Sequence, residues 1–216
     1  KKLIHTIFKE VKFKKSMPVF IVITNPVELI SSWINEFYQG NYTVIGTGTL
    51  LDTVRLQLLL MQKFNLSFQQ VSAPIIGEHG EGLVALLSKT KLGDQSPNNV
   101  LNSTEMEKLL EKVKNMPNQI RASEDASRHG VAQCAIKIFD AFCSDDAVDL
   151  IASISLPEEI KNKMGLNSPI FLSLPCRISK SIFKALLPLE ISNEEQNALK
   201  KSAQKLEAVY LENQSV

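Results

Sequence analysis

The N-terminal third of the chain alternates between apolar runs and helical spacing, which predicts a β-α-β-α unit. Residues 19–24, VFIVIT, form a continuous apolar run rich in β-branched side chains, typical of a parallel strand covered on both faces. Apolar positions recur every three or four residues from Val27 to Phe37 and predict a helix, and residues 42–45 predict a second strand. Ligands bind at the carboxyl ends of such strands, so the residues that follow them are candidates for a site.

A second helix is predicted over residues 50–64, and its polar residues fall together. The apolar side chains expected to face the core are Leu51, Val54, Leu58 and Met61. Asp52 and Arg55 are three residues apart and are therefore neighbours on the helix surface, pointing away from that apolar face. The pattern places an acidic and a basic side chain together, close to the end of a strand.

The rest of the chain mixes helices with strands that we expect to be antiparallel. Strands are predicted at 71–76, 83–87, 147–154, 170–174 and 178–187, and helices at 104–116 (ended by Pro117), at 127–142 and from Ser192 onward. A Glu three residues after Thr104 and after Ser192 predicts a capping box at each position. This order favours an α/β unit in residues 1–70 followed by an α+β domain in residues 71–216.

Composition and charge exclude several classes of protein. The chain has 216 residues, 44% hydrophobic and 22% charged, which is ordinary for a globular protein, and its formal charge of +1 provides no field to attract nucleic acid or an anionic membrane. Its apolar runs are much shorter than the ~20 residues of a membrane helix. The cysteines Cys134, Cys143 and Cys176 have no metal-binding spacing, so we expect three buried thiols, no metal site and a cytoplasmic protein.

Four short segments, in order and at suitable separations, resemble the lactate/malate dehydrogenase family. They are residues 22–28 (VITNPVE), 44–55 (VIGTGTLLDTVR), 76–81 (IGEHGE) and 170–176 (IFLSLPC). The resemblance implies the C-terminal part of a Rossmann-type parallel sheet followed by the catalytic α+β domain of that family. It also implies an NAD-dependent oxidoreductase that transfers hydride between NAD and a small L-2-hydroxyacid, and a homo-oligomer, either a dimer or a tetramer.

His79 and Asp52 are the candidate catalytic residues. An imidazole with an ordinary pKa near ~6.5 can exchange the proton that accompanies hydride transfer between a ketone and an alcohol. The resemblance implies that Asp52 holds the far N–H of His79 and stabilises the imidazolium. The alternatives are a structural histidine in a glycine-flanked turn and an exposed acid at a helix start.

Candidate binding residues surround this pair. Arg55 has a planar guanidinium that can grip a substrate carboxylate with two hydrogen bonds, and the resemblance implies this role; a surface Asp–Arg pair is the alternative. Asn25 matches the family residue that contacts both the substrate and the nicotinamide ribose, although an Asn-Pro turn would also explain it. The resemblance further implies that Ile23, Thr24 and Thr47 line the nicotinamide side.

The sequence also departs from the family. The GxGxxG motif that brings the cofactor pyrophosphate to a helix N-terminus does not occur, so this chain alone is expected to bind NAD poorly. Asp125 falls where the family has a threonine or a small residue facing the substrate. A second anion ~4 Å from a bound carboxylate would cost about 4 kcal/mol at an effective dielectric constant of ~20. Either the alignment slips at this position or the substrate differs. Gln57 stands where the family commonly has a second arginine.

Two other functions remain open from the sequence. The first is a noncatalytic dehydrogenase-like module, such as the one fused to a ubiquitin-conjugating enzyme variant. Four features resemble that module, namely Glu28, residues 55–57 (RLQ), Glu81 and the FLSLPC segment. The second is an inactive, shortened product. The presence of His79 together with Asp52 and Arg55 favours the enzyme, because drift after loss of activity need not spare all three.

Overall fold

A mixed β-sheet organises this computed structural model, which describes residues 1–11, 13, 18–123 and 128–214. The strands are β1 (Val19–Val22), β2 (Thr43–Gly46), β3 (Val71–Ser72), β4 (Ile75–Gly77), β5 (Leu83–Ala85), β6 (Lys91–Leu92), β7 (Val148–Ser155), β8 (Phe171–Ile178) and β9 (Phe183–Ala185). The α-helices are α1 (Lys2–Glu10), α2 (Val27–Phe37), α3 (Leu50–Phe64), α4 (Pro97–Val100), α5 (Ser103–Ser123), α6 (His129–Cys143), α7 (Glu158–Met164) and α8 (Asn193–Glu212).

The strand order confirms an α/β fold whose first part is parallel and whose remainder is antiparallel. The main sheet runs β1-β2-β7-β8-β4-β5, and β9 pairs with β8. β1 and β2 are parallel because α2 crosses over between them, whereas every other described pairing is antiparallel. β2 joins β7 through Gly46 and Ser153, and β8 joins β4 through Ser173 and Gly77. The central strands β7 and β8 therefore connect the parallel part of the sheet to the turn that follows β4.

The buried face of α3 differs from the predicted one. Its bounds are those expected, but Leu56 and Leu60 are completely buried while Leu58 is 43% exposed. Asp52 and Arg55 do not point away from the core, since both are buried. The helix packs against strands and against other helices, and its polar pair is accommodated because the two side chains bond to each other.

Three other element predictions were wrong. Residues 178–187 do not form one strand, because the chain turns back over residues 179–182, so that β8 ends at Ile178 and only Phe183–Ala185 form β9. α5 does not end at Pro117 but continues to Ser123, and its cap lies earlier than Thr104. Asn102 accepts a hydrogen bond from the Glu105 N–H, and Glu105 accepts one from the Asn102 N–H in return. The single strand predicted over residues 71–76 is divided, because β3 pairs with β6 in a separate small sheet while β4 joins the main sheet.

The cysteine prediction was correct for two of the three thiols. Cys134 and Cys176 are buried, whereas Cys143 is exposed at the end of α6. Cys143 is exposed because it falls on the side of the helix opposite the buried residues Cys134, Ile138 and Ala141. In the described part of the chain, moreover, no helix combines the length and the apolar character needed to cross a membrane.

The predicted cap of α8 is confirmed. The Ser192 hydroxyl accepts a hydrogen bond from the Glu195 N–H at 3.2 Å, and the Glu195 carboxylate accepts one from the Ser192 N–H at 2.8 Å. Glu195 also accepts a hydrogen bond from the Ser88 N–H at 2.9 Å, which ties the start of the helix to the loop after β5. The apolar stripe of α8 is buried, namely Leu199, Ala203, Leu206 and Tyr210.

Replacing Ser192 by alanine removes one half of this capping box. We expect Ser192→Ala to lower the free energy of unfolding by about 1 kcal/mol, the ordinary effect of losing a serine cap. Urea denaturation measures the change. Gln204→Ala is the control, because Gln204 is exposed on the same helix and its replacement should change stability by less than about 0.5 kcal/mol. Equal effects of the two substitutions would show that the cap is not stabilising.

Candidate active site

The carboxyl ends of β1 and β2 form one border of a cavity. Because these strands are parallel, Asn25 after β1 and Thr47 after β2 lie at the same edge of the sheet. The turn after β4 brings His79 to the same place. The cavity has a volume of about 260 Å³ and is lined by Ile23, Asn25, Val27, Thr47, Gly48, Leu51, Arg55, His79, Pro117, Val131 and Cys134.

His79 is held at this cavity by Asp52. Its Nδ1 lies 2.6 Å from Oδ2 of Asp52, whose side chain is almost completely buried. Because the two ring nitrogens of an imidazole lie on different edges, the bond through Nδ1 leaves Nε2 as the nitrogen that is able to exchange a proton. The hydrogen bond to Asp52 raises the pKa of His79 above its ordinary value, although burial acts in the opposite direction.

Asp52 also fixes the cation beside it. Oδ1 of Asp52 accepts a hydrogen bond from Nη1 of Arg55 at 3.1 Å, so one carboxylate contacts both His79 and Arg55. Arg55 is buried and lines the cavity. The site therefore places a titratable imidazole beside a buried positive charge, and such a charge can pair with a carboxylate group.

The cavity brings together some of the residues predicted to line the nicotinamide side. Ile23 and Asn25 line the cavity from the end of β1, and Thr47 lines it from the end of β2. Ile23 is 50% exposed, so an apolar side chain stands open to solvent at the border of the cavity. Thr24 is exposed and is not among the described residues that line the cavity. Asp125 lies outside the described residues.

Gly48 is required where β2 turns into α3. Its φ of +45° is a conformation that side chains disfavour, and a Cβ atom there would come within 3.0 Å of the Ser153 backbone N and still closer to the Ser173 hydroxyl. The Ser173 hydroxyl in turn accepts a hydrogen bond from the Thr49 N–H at 3.0 Å. The start of α3 is thereby fixed to β8, and with it the position of Asp52.

Sequence reasoning missed Glu28 as a site residue. Glu28 is only 1% exposed, and its Oε1 accepts a hydrogen bond from the His79 N–H at 3.3 Å. Burial raises the pKa of Glu28 to about 7, even though its backbone hydrogen bonds and the nearby His79 lower it. An acid in the first turn of a helix ordinarily faces solvent near the positive end of the helix dipole, so the pattern contained no signal of its burial.

The cavity also has an apolar wall that the sequence did not indicate. Pro117 from α5 and Val131 and Cys134 from α6 complete it. Burial raises the pKa of the Cys134 thiol to about 11, so this thiol is neutral and forms part of the apolar wall. Within the described ranges, no group of three or more His, Cys, Asp or Glu side chains is arranged to hold a metal ion.

Comparison with known proteins gives similar sequences over most of the chain. A sequence model of the lactate/malate dehydrogenase α/β C-terminal domain matches residues 49–214. An L-lactate dehydrogenase of Macrococcus caseolyticus is 30% identical over 197 residues, which are 88% of this chain and 61% of that protein. A malate dehydrogenase of Methanosphaera stadtmanae is 26% identical over 198 residues, which are 90% of this chain and 61% of that protein. The chain thus spans 61% of the length of these two relatives.

Solved structures share the fold. The minor L-lactate dehydrogenase from Enterococcus mundtii, in a ligand-bound form, matches 97% of this chain and 67% of its own chain, with a TM-score of 0.81 and 26% identity. The malate dehydrogenase from Aeropyrum pernix matches the same shares with a TM-score of 0.85 and 19% identity, which supports the fold alone. The sequence comparisons and the structural comparisons therefore both give lactate and malate dehydrogenases, and both kinds of match cover most of this chain.

Proposed function

Because the chain belongs to the lactate/malate dehydrogenase family, we propose that it supplies the catalytic part of an NAD-dependent L-2-hydroxyacid dehydrogenase. The observation that carries this proposal is the contact of one buried carboxylate, Asp52, with both His79 and Arg55 at the wall of a small cavity. In this proposal residues 1–70 belong to the dinucleotide-binding domain and residues 71–216 form the catalytic domain. The active protein is a longer chain that includes a nucleotide-binding N-terminal half, which we term the long form.

His79 handles the proton of the reaction. Oxidation of a 2-hydroxyacid removes a proton from the hydroxyl group and a hydride from the carbon that bears it, and NAD, when bound, accepts the hydride. Nε2 of His79 takes the proton, and in the reverse direction returns it to the oxygen of the 2-oxoacid. Asp52 stabilises the imidazolium through Nδ1, because the hydrogen bond between them raises the pKa of His79.

The other site residues bind the substrate and the cofactor in this proposal. Arg55 anchors the substrate carboxylate, and Asn25 contacts both the substrate and the nicotinamide ribose. The exposed apolar side chain of Ile23 and the position of Thr47 fit a flat, partly apolar ring at the strand ends. Thr24 is assigned to the same side, and Asp125 to the substrate. The long form is proposed to act as a homo-oligomer.

Assays of the long form test this function. The expected result is oxidation of NADH with at least one of pyruvate, oxaloacetate or a branched 2-oxoacid. A folded long form that binds NADH and turns over none of these would refute the proposal and would favour a noncatalytic dehydrogenase-like module.

Arg55→Lys tests the anchoring role separately. Lysine keeps the charge but loses the planar fork, so we expect KM for the 2-oxoacid to rise about 10- to 100-fold. Steady-state kinetics of the long form measures it. Arg177→Lys is the matched control, because Arg177 makes a two-bond contact with Asp149 that is exposed and remote from the lining of the cavity. The anchoring role is wrong if KM is unchanged in Arg55→Lys.

A further inference from the structure

Glu28 lies behind the cavity at a junction of three elements. It belongs to the first turn of α2, and its carboxyl group reaches the turn after β4 and the middle of β8. The cavity itself is lined by Val27, its neighbour in the chain, whereas Glu28 is completely enclosed. Its carboxyl group is therefore placed to act on the residues around it and not on a ligand.

One oxygen of Glu28 contacts both neighbouring elements. Oε1 accepts a hydrogen bond from the His79 backbone N–H at 3.3 Å and another from the Ser173 hydroxyl at 3.4 Å. The Ser173 oxygen accepts the Thr49 N–H at the start of α3. A continuous set of contacts thus joins the turn that carries the histidine to the helix that carries Asp52, and Glu28 is its central member.

The charges of Glu28 and His79 also affect each other. The ionisable side chains around Glu28 and His79 are Glu78 on the turn and Asp52 and Arg55 on α3, and the Cys134 thiol on α6 lines the same cavity as His79. A negative charge on Glu28 favours the protonated imidazole, and a positive imidazole favours the ionised carboxyl group. Because burial raises the pKa of Glu28 to about 7, the charge that Glu28 presents to His79 changes around neutral pH.

We propose that Glu28 is a positioning residue for His79, whose carboxyl group fixes the backbone of the histidine turn and whose charge sets how tightly the imidazole holds its proton. Asp52 holds the side chain of the histidine, and Glu28 holds its backbone from the opposite element. The effect of Glu28 on catalysis by His79 rests on the proposed function. The fixing of the histidine backbone and the effect of the Glu28 charge on the imidazole belong to this chain, and both are measurable without turnover.

The test is a pH titration of this chain by NMR with isotope-labelled histidine and glutamate. The three histidines His5, His79 and His129 are assigned by single replacement. Glu28→Gln keeps an oxygen that can accept the His79 N–H but removes the charge. The variant should therefore lower the apparent pKa of His79 by about 0.5 or more. Glu78→Gln is the control, because Glu78 precedes His79 in the chain but its carboxyl group hydrogen-bonds to the Gly82 N–H. The control should give a clearly smaller change.

Two results would overturn the proposal. One is an unchanged pKa of His79 in Glu28→Gln; the other is an equal change in Glu78→Gln. The wild-type chain provides a measurement that needs no variant. Its Glu28 carboxyl signal should titrate well above the ordinary range of a glutamate, because the group is buried, and should respond to the charge on His79. Titration near a pKa of about 4.3 contradicts the enclosure of Glu28 behind the histidine turn and overturns the proposal. The absence of NADH turnover in the long form would refute the proposed function but would leave these titrations unaffected.

Discussion

Replacing His79 by asparagine in the long form lowers kcat by a factor of about 10² to 10⁴, the usual contribution of a positioned acid–base group. Asparagine keeps a polar side chain that can bond to Asp52, but it cannot exchange a proton at neutral pH. The main effect is therefore on the chemical step, and the melting temperature should change little. Steady-state kinetics with NADH and the best 2-oxoacid measures the change.

His129→Asn is the control for this experiment. His129 is exposed at the start of α6 and is not among the described residues that line the cavity, so its replacement should leave kcat within about twofold of wild type. If His79→Asn retained wild-type kcat, His79 would not be the proton-exchanging group.

The second large effect is a dependence of stability on pH that Glu28 causes. A carboxyl group whose pKa is about 7 in the folded chain and 4.5 in the unfolded chain is protonated preferentially in the folded state. Its contribution to stability is present in full below the unfolded pKa and is lost as pH rises through the folded pKa. At about pH 8.5 the ionised, buried carboxylate costs about 3 kcal/mol, which is a large part of the stability of an ordinary domain.

Glu28→Gln removes this penalty, because glutamine is neutral at every pH. We expect the variant to unfold at a higher urea concentration than wild type at about pH 8.5 and at a similar concentration at about pH 4. Glu36→Gln is a control, because the contribution of Glu36 to stability changes with pH in the opposite direction. Hydrogen bonds from Lys1, Gln214 and Tyr210 lower the pKa of Glu36 despite partial burial, so its contribution is present at high pH and lost on acidification. A Glu28→Gln variant no more stable than wild type at high pH would contradict the burial of an ionisable carboxyl group.

Elements with local signals were predictable from the sequence. The bounds of α3 follow from apolar spacing between a strand end and a polar stop, and they agree with the structure. The cap at Ser192 was also predictable, because a serine and a glutamate three residues apart satisfy each other without help from the rest of the fold.

Long-range packing accounts for the errors. Apolar spacing alone selected the wrong face of α3, because Asp52 and Arg55 are buried by contact with each other and with His79 from a distant turn. Glu28 was missed for the same reason, since its partners His79 and Ser173 lie 51 and 145 residues away in the chain. Buried polar groups need partners, and a single sequence seldom shows which distant residues provide them.

Transfer of an isotope tests the central claim most directly. The long form is incubated with a 2-oxoacid and NADH that carries deuterium at the transferable position of the nicotinamide ring. We predict that deuterium appears on the hydroxyl-bearing carbon of an L-2-hydroxyacid product, at a rate that His79→Asn lowers and His129→Asn does not. An unlabelled product, or the same rate of labelling in His79→Asn as in wild type, would contradict the account.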